Sequence, residues 1–449
     1  MKRGSVLKIL AIVVVAITLA VAAQAENRFK TLYRFRGFQT DGGIPSGALV
    51  MDANGNLYGT TIYGGYFYQP FEITCGTVFE LSPAKDGQGG WKKKTLYKFT
   101  GESDGCIPTG AIVLGASGNL YGTAQFGGVA GCPTSFFGTG DVRGCGTVFE
   151  LSPTGGVWTE STIYTLSPQR DLFGPRGLSQ DTSGNLYGIA RRVDHNGAEV
   201  VYELSPAGGG VWAEKGLRTF DYSDGLFLNS PLFLDGSGNI FGTATEGGKA
   251  SGDCTTFGGD GGCGTVFELS PTGGGPWSID KFALPNTNQG YSPVGSLVED
   301  SAGNLFGAAS AGGPEPGGVV FKLSPTTGGG WVESVIHIFG TASGNKGFSP
   351  TSLISDGNGG FYGTTYAGGN TGCVVGCGVV FHLALTAQGG WAETVLHTFT
   401  DGYDESVPNA LIRDASGNLY GTTTGPAYAF TSCTPHCGTV FEIVAPGAK

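Results

Sequence analysis

Ten cysteines are the residues of this sequence best suited to covalent chemistry, and they fall in a pattern. Cys132 with Cys145, Cys254 with Cys263, Cys373 with Cys377 and Cys433 with Cys437 form close pairs, and Cys75 is followed by Cys106. An even count behind an export signal reads as disulfides, and these five pairs are the expected bridges. Cys433-Thr434-Pro435-His436-Cys437 also offers metal-ligand types, but structural zinc usually draws four ligands from two such clusters. No metal and no cofactor is therefore expected, and no redox role for the tight pairs.

Other groups repeat. Asp41-Gly42, Asp104-Gly105 and Asp224-Gly225 recur, with Asp404-Glu405 as a variant. Carboxylates ringed around a channel could bind a cation, but Asp before Gly is ordinary turn chemistry. The recurring Glu80, Glu150, Glu203, Glu268 and Glu442 read the same way, as parts of the repeat. Catalysis tends to break a repeat, and the breaks are Arg191-Arg192-Val193-Asp194-His195, Lys322 and His382. They form no nucleophile, base and orienter set, so no catalytic residue is assigned. Aromatic residues cluster in three loops, and Tyr66, Phe67, Tyr68, Phe136, Phe137 and Tyr428 are the expected ligand-binding residues.

The elements that position these groups come from one recurring stretch. Gly55-Asn56-Leu57-Tyr58-Gly59 returns at Gly118, Gly184, Gly238, Gly303, Gly359 and Gly417, at intervals that indicate a propeller or solenoid. Each unit reads as four short strands. In the second, Ala111–Leu114, Asn119–Ala124, Thr147–Leu151 and a strand opened by Trp158 are separated by turn residues. Pairs such as Tyr58 with Phe79 and Tyr121 with Phe149 are expected to fill the space between neighbouring units. The second glycine of each motif is expected where backbones approach closely. A lone strand, Lys30–Phe35, matches the fourth strand Thr95–Phe99, and the last unit stops after its third strand, Thr439–Ile443. Orphan and vacancy complement each other. The sequence thus predicts an all-β, seven-bladed β-propeller of four-stranded antiparallel blades, closed by the N-terminal strand on the last blade. Loops between second and third strands, and connections between blades, then emerge on one face with all ten cysteines.

The Gly-Asn-Leu-Tyr-Gly-Thr and Cys-Gly-Thr-Val-Phe-Glu-Leu-Ser-Pro units resemble the GloVer tandem repeat of exported bacterial proteins. That resemblance covers nearly all of the chain after residue 25. It implies export and a propeller-like repeat without an established activity. Members often carry a C-terminal sorting anchor, and this chain departs from that by ending at Lys449. The strand order is also similar to NHL-type and gluconolactonase-like propellers, a likeness of fold that transfers no site.

Composition frames the rest. Of 449 residues 83 are Gly, 40% are hydrophobic and 14% charged, which is a turn-rich chain with a large core. Residues 1–25, with Lys2, Arg3 and Lys8 before an apolar run and Ala23-Gln24-Ala25 at its end, read as a signal peptide. The propeller domain then spans 26–449. Loss of those three cations moves the formal charge from −11 to −14. Such acidity argues against nucleic acid or anionic lipid as partners. A monomer without a membrane anchor, secreted or periplasmic, is expected. Its expected function is binding, of a glycan or a cell-surface protein, through the disulfide-bearing loops. The alternatives are an exported hydrolase, lyase or lactonase with a site at the channel mouth, and a passive structural repeat protein of the envelope.

Overall fold

The computed structural model describes residues 29–37, 41–64, 67–68, 73–84, 90–132, 144–193, 198–228, 230–248, 254, 262–273, 275–340, 346–369, 373, 376–400, 406–425 and 437–445. Seven antiparallel sheets form the blades, six from strands that follow one another around the chain and the seventh completed by the N-terminal strand, with one small two-stranded hairpin besides. The first blade is Gly43–Met51, Leu57–Tyr63, Thr77–Ser82 and Lys92–Lys98. In the second, the first strand is split into Cys106–Pro108 and Val113–Leu114. The remaining blades begin at Leu172, Phe233, Tyr291, Gly347 and Ile412. Among the described residues the only helical pieces are two single 3-10 turns, Pro168–Arg170 and Thr287–Gln289. None of the described helices is long and apolar enough to cross a membrane.

The ring closes as expected. Phe29–Arg34 pairs with Thr439–Ile443 as the outermost strand of the seventh blade. Tyr33 stands opposite Val440, and a bulge leaves Leu32 unpaired. The same bulge leaves Leu96 unpaired in blade 1 and Leu396 in blade 6. The N-terminal strand therefore has the geometry of a genuine fourth strand, displaced in sequence rather than added as a patch.

Seven apolar cores lie between the blades, one at each junction. Phe35, Phe99, Phe220, Phe339 and Phe399 end fourth strands and meet Phe79, Phe149, Phe267, Phe381 and Phe441 of the next blade, at centroid distances of 4.7–5.3 Å. All ten are fully buried, and each such ring stabilises the fold by about 1.5–3 kcal/mol. The ring packing corrects one expectation. Tyr58 and Phe79 point to opposite faces of their blade, because adjacent strands place them on opposite sides of the pleat. The partner of Tyr58 across a junction is Trp158, at 5.9 Å, and that of Tyr121 is Trp212. The second motif glycine also has another reason than backbone approach. A Cβ on Gly59 would lie 2.7 Å from the ring of Phe79, and on Gly122 2.3 Å from that of Phe149.

Candidate functional site

Four of the expected bridges are present: Cys75–Cys106, Cys132–Cys145, Cys254–Cys263 and Cys373–Cys377. Cys437 is also disulfide-bonded, while its expected partner Cys433 lies outside the described residues. The bridges serve a backbone device at the junctions. Ile107 begins the inner strand of blade 2 in a left-handed conformation, φ 59°, and its N–H donates to the carbonyl of Cys75 in blade 1. Ile44, Ser292 and Val407 repeat this with Cys437, Cys263 and Cys377. The following glycine faces the next blade's proline: a Cβ on Gly76 would lie 2.5 Å from Pro108, and on Gly438 2.4 Å from Pro45. This explains why Cys and Gly precede Thr-Val-Phe. The cysteine holds the loop end, its carbonyl receives the next blade, and glycine leaves room for proline.

Blade 3 breaks the device. Ala198-Glu199 stands where blades 1, 2, 4, 6 and 7 have Cys-Gly and blade 5 has Gly317-Gly318, and Leu228 replaces the proline of blade 4. Leucine restores an N–H that proline lacks, and that donor needs an acceptor. Glu199 Oε2 accepts it at 2.6 Å. The carboxylate is 1% exposed and pairs with the guanidinium of Arg176, with Arg191 Nε 3.7 Å away. Arg176 Nε also donates to the Leu228 carbonyl at 3.1 Å. Burial, reinforced by the charge of Arg191, pulls the Arg176 guanidinium down to about 9, and burial lowers Arg191 too. Beside them Arg192 pairs with Asp171. Three charged side chains, Arg176, Glu199 and Arg191, thus stand in one blade where the repeat has an uncharged residue after the proline, a glycine and an uncharged strand-end residue.

This cluster adjoins exposed aromatic surface. Arg191 stands over the Phe227 ring, 6.0 Å from its centroid. Phe227 is left-handed, φ 59°, and 39% exposed, where the equivalent positions hold Ile44, Ile107, Ser292, Ser349 and Val407. Tyr222 is also exposed, and its hydroxyl accepts the N–H of Gly262, next to Cys263. In blade 6, exposed Tyr366 lies across the strand pair from Ser349.

The loop aromatics nominated from sequence are mostly outside view. Tyr66, Phe136, Phe137 and Tyr428 lie outside the described residues. Phe67–Tyr68 pairs with Ile73–Thr74 as a small hairpin on the blade 1 loop. Of the nominated breaks, the structure brings Arg191 and Arg192 into the charged cluster, while Asp194 and His195 lie outside the described residues. His337 and His397 sit on outer strands, the first with Glu393 at 3.3 Å, the second stacked on Phe29 at 3.7 Å. Lys322 lies over Phe306, and His382 Nε2 meets Asp356 at 2.9 Å. Repeated acids serve the blades: Asp104 accepts from Thr100 and Tyr97, and Glu150 from Asn119 and Tyr121, while Asp404-Glu405 lies outside the described residues. Among the described residues no three His, Cys, Asp or Glu side chains converge as a metal site would. Sequence reading missed Arg176, Glu199 and Phe227. Aligning the repeats column by column would have found Glu199, the one residue other than glycine in its column.

A family model described as the Gloeobacter/Verrucomicrobia repeat matches residues 133–375 and 254–441, more than half of the chain. The chain belongs to this repeat family. Its Cys-Gly-Thr-Val-Phe segment is the inter-blade device just described. No curated protein matches this Gloeobacter/Verrucomicrobia repeat chain. Among solved structures it is similar to virginiamycin B lyase from Staphylococcus aureus, with 11% identity, 93% of this chain and 100% of that one covered, and a TM-score of 0.50. It is also similar to the PQQ-bound aldose sugar dehydrogenase of Streptomyces coelicolor, at 13% identity, 92% and 97% coverage and a TM-score of 0.39. A gluconolactonase from Xanthomonas campestris follows, at 14% identity, 76% and 86% coverage and a TM-score of 0.39. The likeness to the lyase is one of fold alone.

Proposed function

We propose that the protein is an exported binding module that engages a glycan or a cell-surface protein through its disulfide-bearing face. The observation that supports this is the exposed aromatic surface around Phe227. Phe227 and Tyr222 present ring faces on a backbone fixed by inter-blade hydrogen bonds and by the Cys254–Cys263 bridge. A rigid aromatic offers contact area at small conformational cost, which suits a flat sugar face or a peptide side chain. Arg191, held by Glu199, packs over the ring of Phe227 and fixes it. The disulfides fit an oxidising compartment, in keeping with the export signal read at residues 1–25. The test is binding to a glycan array and to whole cell envelopes, with wild type compared to Phe227→Ala and Tyr222→Ala. Selective loss of binding in folded variants is expected. Binding unchanged in both variants would overturn the reading.

A further inference from the structure

The acidity of the whole chain conceals a basic wall. Residues 28–98 hold nine of the 22 lysines and arginines that follow residue 25. The sheet order puts Phe29–Arg34 and Lys92–Lys98 at the outer edges of blades 7 and 1. These edges are neighbours across the closure seam: Lys93 lies over the rings of Tyr33 and Phe35, 5.9 and 5.5 Å from their centroids, and reaches the carbonyl of Asp41. Lys30, Lys92, Lys94, Lys98 and Arg36 are exposed, and Arg34 partly so.

Two ordinary explanations account for only part of this. Lys30 and Lys94 stand directly across from Glu442 and Glu80, so cross-strand pairing explains them. Lys92, Lys98 and Arg34 face Ser82, Thr77 and Thr439, which carry no charge. Lysine on an edge strand also discourages strand-to-strand aggregation. Yet the positions of Lys92 and Lys98 hold Thr159 and Thr165 in blade 2, Ala213 and Thr219 in blade 3, and Ala392 and Thr398 in blade 6. The outer strands of blades 2 and 6 carry no lysine or arginine, and that of blade 3 holds neither at these two positions.

We propose that the outer wall of blades 7 and 1 is a docking surface for a linear acidic polysaccharide, a polymer bearing carboxylate or sulfate groups. The cations of each strand lie along an extended line, about 6.5 Å apart where they are two residues apart, and the line repeats on the adjacent blade. A chain with regularly placed anions matches this array. None of the exposed large apolar side chains lies on either strand, so the wall offers nothing to insert into a bilayer. A second copy docked through the same patch about a two-fold axis would set cation against cation.

The experiment measures binding of the full-length mature chain to heparin and to polygalacturonate, probes for sulfate and for carboxylate. Binding that weakens about tenfold or more as salt rises from roughly 0.05 to 0.5 M is expected. Lys92→Glu/Lys98→Glu should weaken it about tenfold at low salt, while Lys215→Glu, on the edge of blade 3, leaves it unchanged. Both changes lie on exposed edge positions, and an unchanged melting temperature confirms folding. Should the double variant unfold, Arg36→Glu serves in its place. No binding to either polymer, equal loss in Lys215→Glu, tighter binding to phosphatidylglycerol vesicles, or self-association through the wall would each overturn the proposal.

Discussion

Glutamine at position 199 is the sharpest perturbation of this ring. Glu199 is almost fully buried and joins Arg176, Arg191 and the Leu228 N–H across the junction of blades 3 and 4. Glutamine keeps the size and an acceptor for Leu228 but removes the negative charge between two desolvated guanidinium groups. Removing one partner from a buried ionic cluster destabilises by about 3–5 kcal/mol, because the remaining charge is left uncompensated. With an unfolding entropy near 2.1 cal/mol/K per residue, a ring of roughly 420 residues loses about 3–6 °C in Tm for that change. Calorimetry with parallel urea unfolding is the assay. The companion variant, Arg176→Met/Glu199→Leu/Arg191→Met with Leu228→Pro, removes every charge and the extra N–H together. It should recover most of the loss, since buried ionic clusters can often be replaced by apolar groups without penalty. A shift below about 1 °C for Glu199→Gln, or a companion variant as unstable as the single change, would refute the account of this junction.

Other expectations follow from the same junctions. Burial raises the Glu333 carboxyl to about 7, and both its oxygens lack a partner among the described residues. A folded-state value above the ordinary 4.5 means that its contribution to stability is complete below about pH 4.5 and is lost as pH rises through about 7. Glu333→Gln should therefore flatten part of the fall in Tm between pH 5 and 8, measured by a pH series of melts; an unchanged slope would count against it. Glu160, raised to about 7 by burial, with Asp104 adding to the rise, should behave alike. Replacing Cys75 and Cys106 with Ala should cost about 3.5 kcal/mol and replacing Cys373 with Cys377 about 2, because the first bridge closes the longer loop; denaturant titration in the reverse order would oppose this ranking. Gly438→Ala meets Pro45 of blade 1 and a left-handed backbone, so opening of the seam, read as faster proteolysis of the N-terminal strand, is expected, with unchanged cleavage as the contrary result.

The sequence by itself determined the architecture. A motif that returns seven times, an orphan strand at one end and a vacancy at the other specify a closed ring, because unpaired strand edges must find partners. The cysteine pairs were legible for the same local reason: the two members of a pair sit in one loop or in adjoining ones. What only the tertiary structure decided is what each blade does to the next. Phe79 pairs with Phe35 and not with Tyr58, although Tyr58 is the nearer in sequence, because the pleat turns them to different junctions. Arg176, Arg191 and Glu199 are far enough apart along the chain to look unrelated, and they become one cluster only when three strands of blade 3 deliver their ends to the same face beside Leu228. The basic wall has the same origin: Lys93 reaches Tyr33 and Phe35 because the first strand of the chain is the last strand of the ring. A repeat shows what is shared between blades, whereas the differences that can bind something gain their meaning from the neighbours that closure supplies.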